Sequence, residues 1–473
     1  MNYTISFNEL NSIISKIQGG DIVLIKDGIY TNQNVNISSI AFVKNRLYIK
    51  AENSGKVIFS ENLNFIISGS YITVSGFHFE NGGNTNSIQL MGVGNRITNC
   101  KISFNNENGP IISVYNKNNR IDHCLFENFD KEGVWIEIKR KNELNYALID
   151  HNIFKNRAQG VGNGFETIRI GVSTNSLSNS RTIVMSNIFE NCNGEIEIIS
   201  SKSSENIIYN NIIKNSKGSI TLRHGDRSIV SKNKFLQNSI SGTFGVRIIG
   251  EDHLVYNNLF KEVSGPAISI SNGVENSPLN GYAQVKRLKV SENILINNNN
   301  DFLIGTVKGD RTLPPIHSQI IGNIVYKNNN NSIFSYDSYG SLDMYYYNNY
   351  FYGYNIGKSP FEYDVILDPE KFNTGIIDEY NYGTNDIVGP LYNIEPENTE
   401  IKVELNHNYH KIKSKILTDF YVHGNNTLKT YENRNLLSNN TSELCGNFIF
   451  PSLFLLYFLF KNCRQIIVRT LHF

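Results

Sequence analysis

The chain has 473 residues, with 44 basic against 43 acidic side chains and a net charge of +1, so no global positive field draws it to nucleic acid. Glycine (36) far outnumbers proline (10), tryptophan occurs once, and asparagine recurs throughout; this mixture suits many short strands joined by Asn/Gly turns rather than helices. The cysteines Cys100, Cys124, Cys192, Cys445 and Cys463 contain no Cys-x-x-Cys pair and are odd in number, which argues against a zinc ribbon, a redox motif or a full disulfide framework; Cys100 and Cys124 read as small buried hydrophobes.

Met1 to Phe7 lacks the basic-then-apolar pattern of a secretory leader. Residues 6–18 have helical spacing, with Leu10, Ile13, Ile14 and Ile17 on one face, Ser6 as N-cap and Gly19-Gly20 as the stop. A short amphipathic helix there would cap the end of a repeat stack. Asp21 to Tyr30 then reads as strand, Asp-Gly turn, strand. Residues 1–40 are thus expected to form an N-terminal cap and first strands.

From about residue 40 a repeat takes over: an alternating strand, a small or Asn residue, then an apolar pair and further polar residues. Aligned, Gly76, Cys100, Cys124, Asn152, Asn187, Asn211, Asn233, Asn258, Asn293, Asn323 and Asn349 fall in one column, at intervals of 22 to 35 residues. A base length near 22–25 with insertions is one coil of a solenoid. Asparagine at one turn position can stack into a hydrogen-bonded ladder and tolerates a left-handed corner. The expectation is an all-β, right-handed parallel β-helix of about 11 or more coils over residues 41–390. A β-sandwich would not hold Asn at one phase so often. Residues 391–473 are expected to be terminal coil and irregular tail. The apolar run Phe448 to Phe460 has 13 residues and contains Pro451, too short for a spanning helix, which needs about 20.

The chemistry concentrates between residues 163 and 253. Gly164 to Gly171 and Gly218 to Gly225 share Gly, Thr, Arg and Gly at the same offsets, with Gly194 to Ser200 between them. Stacking their glycines aligns Thr167, Glu197 and Thr221, and places Arg169 in line with Ile199 and Arg223. Alternation sends Glu195 and Glu197 to one side, outward if Ile196 and Ile198 fill the core. On spacing alone the pair is either an oxygen-rich cation site with Asn163 or an exposed acidic pair balanced by Arg169 and Arg223. Lys202 stands at odd separation from Glu197, so a straight strand would turn it inward, and a bend at Ser200-Ser201 would bring it back.

The strings NGFETIRIG, NGEIEIISSKSSENIIYNN, GSITLRHGDRSIVSKN and GVRIIGEDHLVYNN, with GGDIVLIKDGIY and YITVSGFHF near the amino terminus, resemble polysaccharide lyase family 6, which contains chondroitinase B and many alginate lyases. The resemblance spans roughly residues 5–390 and implies roles residue by residue. Lys202 matches the Brønsted base and Arg223 the acid. Glu195, Glu197 and Asn163 match ligands of Ca²⁺. Arg247 matches a substrate-binding residue, with His224 and Arg169 in support; His253 reads as a turn-stabilising residue. The implied substrate is an anionic polysaccharide, alginate first and dermatan sulfate second, with Lys139, Arg140 and Lys141 as candidate sulfate contacts. A non-catalytic carbohydrate-binding β-helix is the alternative from another class. The family implies a secreted or periplasmic protein.

Overall fold

The computed structural model describes residues 1–80, 88–103, 109–140, 143–305, 309–336, 343–359, 366–372, 388–390 and 409–421. Two compact units divide the chain, Met1–Thr418 and Asp419–Phe473; everything below concerns the first. Cys445, Cys463 and the apolar run 448–460 lie outside the described residues. No helix among the described residues is long and apolar enough to cross a membrane.

The first unit is a parallel β-helix. One sheet of 14 strands receives one strand from each successive coil, from Asn2–Ile5 to Met344–Tyr347. The strands of the other faces merge into a single 24-stranded sheet. The merger has a local cause: Val57–Ile67 runs without a break past one corner and pairs with both Phe77–Glu80 and Ile88–Leu90. Apolar side chains stack inward in like-on-like columns, as in Phe126, Phe154 and Phe189, whose rings lie 4.7 and 4.9 Å apart. Each such buried ring contributes about 1.5–3 kcal/mol.

The amino-terminal cap is shorter than the periodicity predicts. A 3-10 turn, Phe7–Glu9, leads into a single α-helical turn, Leu10–Ile13. The Glu9 carboxylate accepts from the Ser6 N–H at 2.7 Å, which fixes the start. Phe7 is buried, with Leu10 and Ile17, over the first coil, and Asn2–Ile5 is already a strand paired with Ile22–Ile25.

The asparagine ladder is present. Each of Asn152, Asn187, Asn211, Asn233, Asn258, Asn293 and Asn323 donates through its backbone N–H to the side-chain oxygen of the next coil's Asn, ending at Asn349, at 2.9–3.0 Å. Two details differ from expectation. The left-handed residue is the one before the ladder Asn, such as His151, Asn210, Lys232 and Glu292, so the corner accepts many residue types while the ladder does not. Gly76 belongs to that preceding position: Ser75 pairs with Thr98, which sets Gly76 beside Asn99, and Phe77 beside Cys100. Cys100, Cys124 and Cys192 are free and buried.

Within the expected irregular tail, residues 409–418 of this unit are helical. The Tyr409 hydroxyl donates to the Glu205 carbonyl at 2.8 Å, and its ring meets Tyr146 edge-on. A charged, Asn-rich surrounding segment hid this helix, although Tyr409, Ile412 and Ile416 stand at helical spacing and Tyr409 and Ile416 are buried.

Candidate active site

Four neighbouring strands carry the site: Ile168–Ile170, Glu197–Lys202, Gly218–His224 and Thr243–Ile248. Their register runs Arg169, Ser200, Thr221, Arg247. This corrects the alignment by glycines, which put Arg169 in line with Arg223. The glycines do share a conformation, φ near +96° at Gly164 and Gly218 and +85° at Gly171 and Gly225, but two irregularities lie between them.

Glu197 pairs with Ser219 and Ile199 with Ile220, so Ile198 is an extra residue in its strand. That one residue resolves the odd separation of Glu197 and Lys202. Glu197 and Ser200 share a face, since the Ser200 hydroxyl donates to the Glu197 carboxylate, and Lys202 follows Ser200 by two. The parity change sits at Ile198, not at the Ser200-Ser201 bend that the sequence suggested. Ile196 is 57% exposed and fills no core, whereas Ile198 is buried. The second irregularity falls between the pairs Ser201 with Leu222 and Lys202 with His224, which leaves Arg223 as the extra residue. Bulges of this kind re-aim side chains.

Three carboxylates converge: Glu166, Glu195 and Glu197 each offer an oxygen within 4.8 Å of the others. Glu166 is the member sequence reasoning missed, although it stands in the same Asn-Gly-x-Glu-Thr string as Asn163. Asn163 itself is exposed. Burial, then the charges of Glu166 and Glu197, push the Glu195 carboxyl up to about 8. One oxygen of Glu166, Oε2, is buried and accepts no hydrogen bond. An oxygen without a hydrogen bond, approached by Arg169 at 3.8 Å, inside an all-oxygen donor set fits a hard cation such as Ca²⁺.

Basic groups surround the acids. Lys202 Nζ lies 3.0 Å from Glu166 Oε1, Arg169 pairs with Glu137 at 2.8 Å, and Arg247 approaches Glu197 at 3.8 Å. His224 is held neutral, its pKa lowered to about 3 by burial and by the charges of Arg223 and Lys202. A tyrosine that no periodicity marks, Tyr282, completes the cluster. The guanidinium groups of Arg311, Arg223 and Arg247 sit 3.4, 4.2 and 5.6 Å from its ring centre. Arg247 also donates to its hydroxyl at 3.2 Å, and Arg223 donates to the Gly281 carbonyl at 3.0 Å. Burial raises the Tyr282 pKa, but the three cations outweigh it and the net shift is downward. Tyr282 lies between the two-residue strand Gly273–Val274 and Lys289–Ser291, and Arg311 opens the strand Arg311–Leu313 that pairs with Gly273–Val274. The sequence signal was only an interval of 35 residues between Asn258 and Asn293, long enough for an inserted loop.

Lys202, Arg223, Arg247, His224 and Arg169 are therefore brought to one set of adjacent strands. Two of the suggested sulfate contacts are otherwise engaged. Lys139 pairs with Glu137. Arg140 is buried, donating to Asn145 and to the Glu143 and Asn179 carbonyls. Lys141 lies outside the described residues. His253 is buried, with Nδ1 accepting from the Ser228 N–H at 3.1 Å, as a turn-stabilising residue would be.

The family profile described as Chondroitinase B matches residues 4–386. The chain belongs to the chondroitinase B family. Solved structures of the family's polysaccharide lyase group 6 share its β-helix. The alginate lyase AlyGC is 28% identical with a TM-score of 0.70, over 73% of this chain and 51% of AlyGC, so this chain spans about half the length of that relative. A mannuronic acid specific family 6 lyase from human gut microbiota is 25% identical with a TM-score of 0.69, over 87% of this chain and 99% of its own. A family 6 alginate lyase solved with a trisaccharide shares the fold at 23% identity and a TM-score of 0.67, over 74% and 84% of the two chains. No curated protein sequence matches the chain significantly.

Proposed function

We propose that this chondroitinase B family member cleaves a uronate-containing polysaccharide, alginate first, by β-elimination. The observation that carries the reading is the pairing of the Lys202 and Arg223 strands next to the Glu166, Glu195 and Glu197 carboxylates. The C5 proton of a uronate is weakly acidic, so removing it needs a base, a sink for negative charge and a proton for the leaving oxygen. Lys202 Nζ takes the C5 proton in its neutral form. The C–H electrons form the C4–C5 double bond as the C4–O4 bond breaks. Arg223 assists the departing O4 with a proton. His224, neutral and paired in register with Lys202, offers a donor or acceptor without adding charge. Tyr282 with Arg247 and Arg311 provides a flat, cationic surface for neighbouring anionic sugars. Glu166, Glu195 and Glu197 would hold Ca²⁺, with Asn163 as a further ligand. Calcium there would supply charge neutralisation for the uronate carboxylate and would compete with Lys202 for Glu166.

Alginate is favoured because AlyGC is named an alginate lyase and the gut relative is named mannuronic acid specific. Dermatan sulfate is less favoured because Lys139 and Arg140 already have partners. Polymers of this kind lie outside the cytoplasm, and the protein is assigned there with them. The test incubates the protein and Ca²⁺ with each polymer and follows ultraviolet absorbance of the unsaturated uronate. Alginate is expected to give a rising signal that Lys202→Ala abolishes with the fold intact. Silence with both polymers would sink the lyase reading for these substrates and favour a carbohydrate-binding β-helix. Retained activity in Lys202→Ala would remove the base assignment.

A further inference from the structure

Arg157 is a buried arginine close enough to the acidic cluster to feel the charges of Glu166 and Glu195. It ends the strand Ile153–Arg157, pairs in register with Cys192, and is fully buried. Its guanidinium lies 4.2 Å from the Phe129 ring centre and 5.1 Å from that of Phe165. Its hydrogen bonds go to three carbonyl oxygens: Gly133 at 2.7 Å, Phe129 at 2.9 Å and Phe165 at 3.4 Å. The first two belong to the coil below. The third belongs to the residue directly before Glu166.

The coil above uses the same reference point. The Asn193 N–H donates to the Arg157 carbonyl at 2.9 Å, and the Gly194 carbonyl accepts from the Gly160 N–H at 2.8 Å. A Cβ on Gly194 would stand 2.0 Å from the Phe165 oxygen and 3.2 Å from Arg157 Cγ. Only glycine lets the chain pass over that carbonyl into Glu195. The guanidinium therefore ties the backbone directly ahead of Glu166 to the coil below, while the approach to Glu195 meets the Arg157 main-chain carbonyl and its Cγ. A cation buried among carbonyls is expensive, and here each of its three nitrogens makes a hydrogen bond.

We propose that Arg157 is a positioning residue for the cation site, its guanidinium holding the Glu166 backbone at the spacing from Glu195 and Glu197 that a single ion requires. The inference rests on the calcium reading above. Fixing ligand-bearing backbone is the role that outer-layer hydrogen bonds play around metals generally. A purely electrostatic role predicts the opposite sign, since removing a positive charge that acts on Glu166 and Glu195 would tighten cation binding.

The test is calorimetric titration of Ca²⁺ into the metal-free full chain and its Arg157→Gln and Arg157→Lys variants, with urea unfolding beside it. Phe154→Leu, in the same strand but away from the acids, serves as the comparison for general destabilisation. Arg157→Gln is expected to weaken calcium about tenfold or more. Arg157→Lys, which keeps charge and stem but loses the fork, is expected to weaken it severalfold. Phe154→Leu should lose stability and keep its affinity. If Arg157→Gln does not fold, Arg157→Lys decides. Unchanged or tighter binding in the foldable variants overturns the proposal, as does an equal loss in Phe154→Leu. A native chain that binds no calcium overturns it together with the calcium reading, an outcome distinct from loss of the Arg157 effect alone.

Discussion

Calcium affinity should depend steeply on pH, through Glu195. Its carboxyl is pushed up to about 8 by burial, then by Glu166 and Glu197. A cation bound to the cluster requires the ionised form, so binding must expel that proton. With a pKa of about 8, the ionised fraction is about 1% at pH 6, about 9% at pH 7, about 50% at pH 8 and about 90% at pH 9. The apparent Kd should therefore fall about ninefold from pH 6 to 7, about fivefold from 7 to 8, and less than about twofold from 8 to 9. Titration calorimetry at pH 7 in buffers of different ionisation enthalpy should report release of close to one proton per ion. Without calcium the sign for folding is the reverse. A carboxyl with a raised folded pKa stabilises most below its unfolded value of 4.5, and that contribution is lost as pH rises toward 8. Glu195→Gln should weaken calcium and flatten the slope. A Kd that is constant between pH 6 and 8 would refute the reasoning, because Glu195 would then be ionised before the cation arrives or would not meet it.

Arg311→Ala removes the guanidinium nearest Tyr282 without touching Lys202 or Arg223; KM on alginate should rise about tenfold with a smaller change in kcat, and steady-state kinetics showing a loss confined to kcat would place Arg311 in the chemical step instead. Asn233→Ala strips the ladder of an amide that accepts from Asn211 and donates to Ile208 and Asn258. Leaving those buried groups unpaired should cost about 2–4 kcal/mol in urea unfolding, and a loss under about 0.5 kcal/mol would mean that water replaces the amide.

The scaffold was readable from the chain because its signal is periodic. Asparagine at one phase can be found by alignment, and the ladder bonds Asn152 to Asn349 follow from it. Lys202 and Arg223 were readable as neighbours for the same reason, being 21 residues, about one coil, apart. What periodicity cannot convey is a local departure from itself. The extra residue at Ile198 inverts the faces of everything before it, so Ile196 was placed in the core when it is exposed. Glu166 lies ahead of its strand, where alternation has no force. Tyr282 and Arg311 reach the site from an insertion and carry no repeat phase. The helix at 409–418 did carry a short apolar spacing, Tyr409, Ile412 and Ile416, but its docking through Tyr409 on Glu205, a contact across 204 residues, is not encoded in composition.

The ladder also sets what can change in this molecule. Its rungs keep the same spacing along the axis whether 22 or 35 residues separate two asparagines. Surplus chain must therefore leave at the corners, as it does in the insertion that brings Tyr282 over Arg223. The stack behaves like a rack with fixed shelves: a loop can be lengthened, shortened or exchanged without the neighbouring coils registering it. Substrate preference can then drift through the loops while Lys202, Arg223 and the three glutamates stay indexed to the same strands.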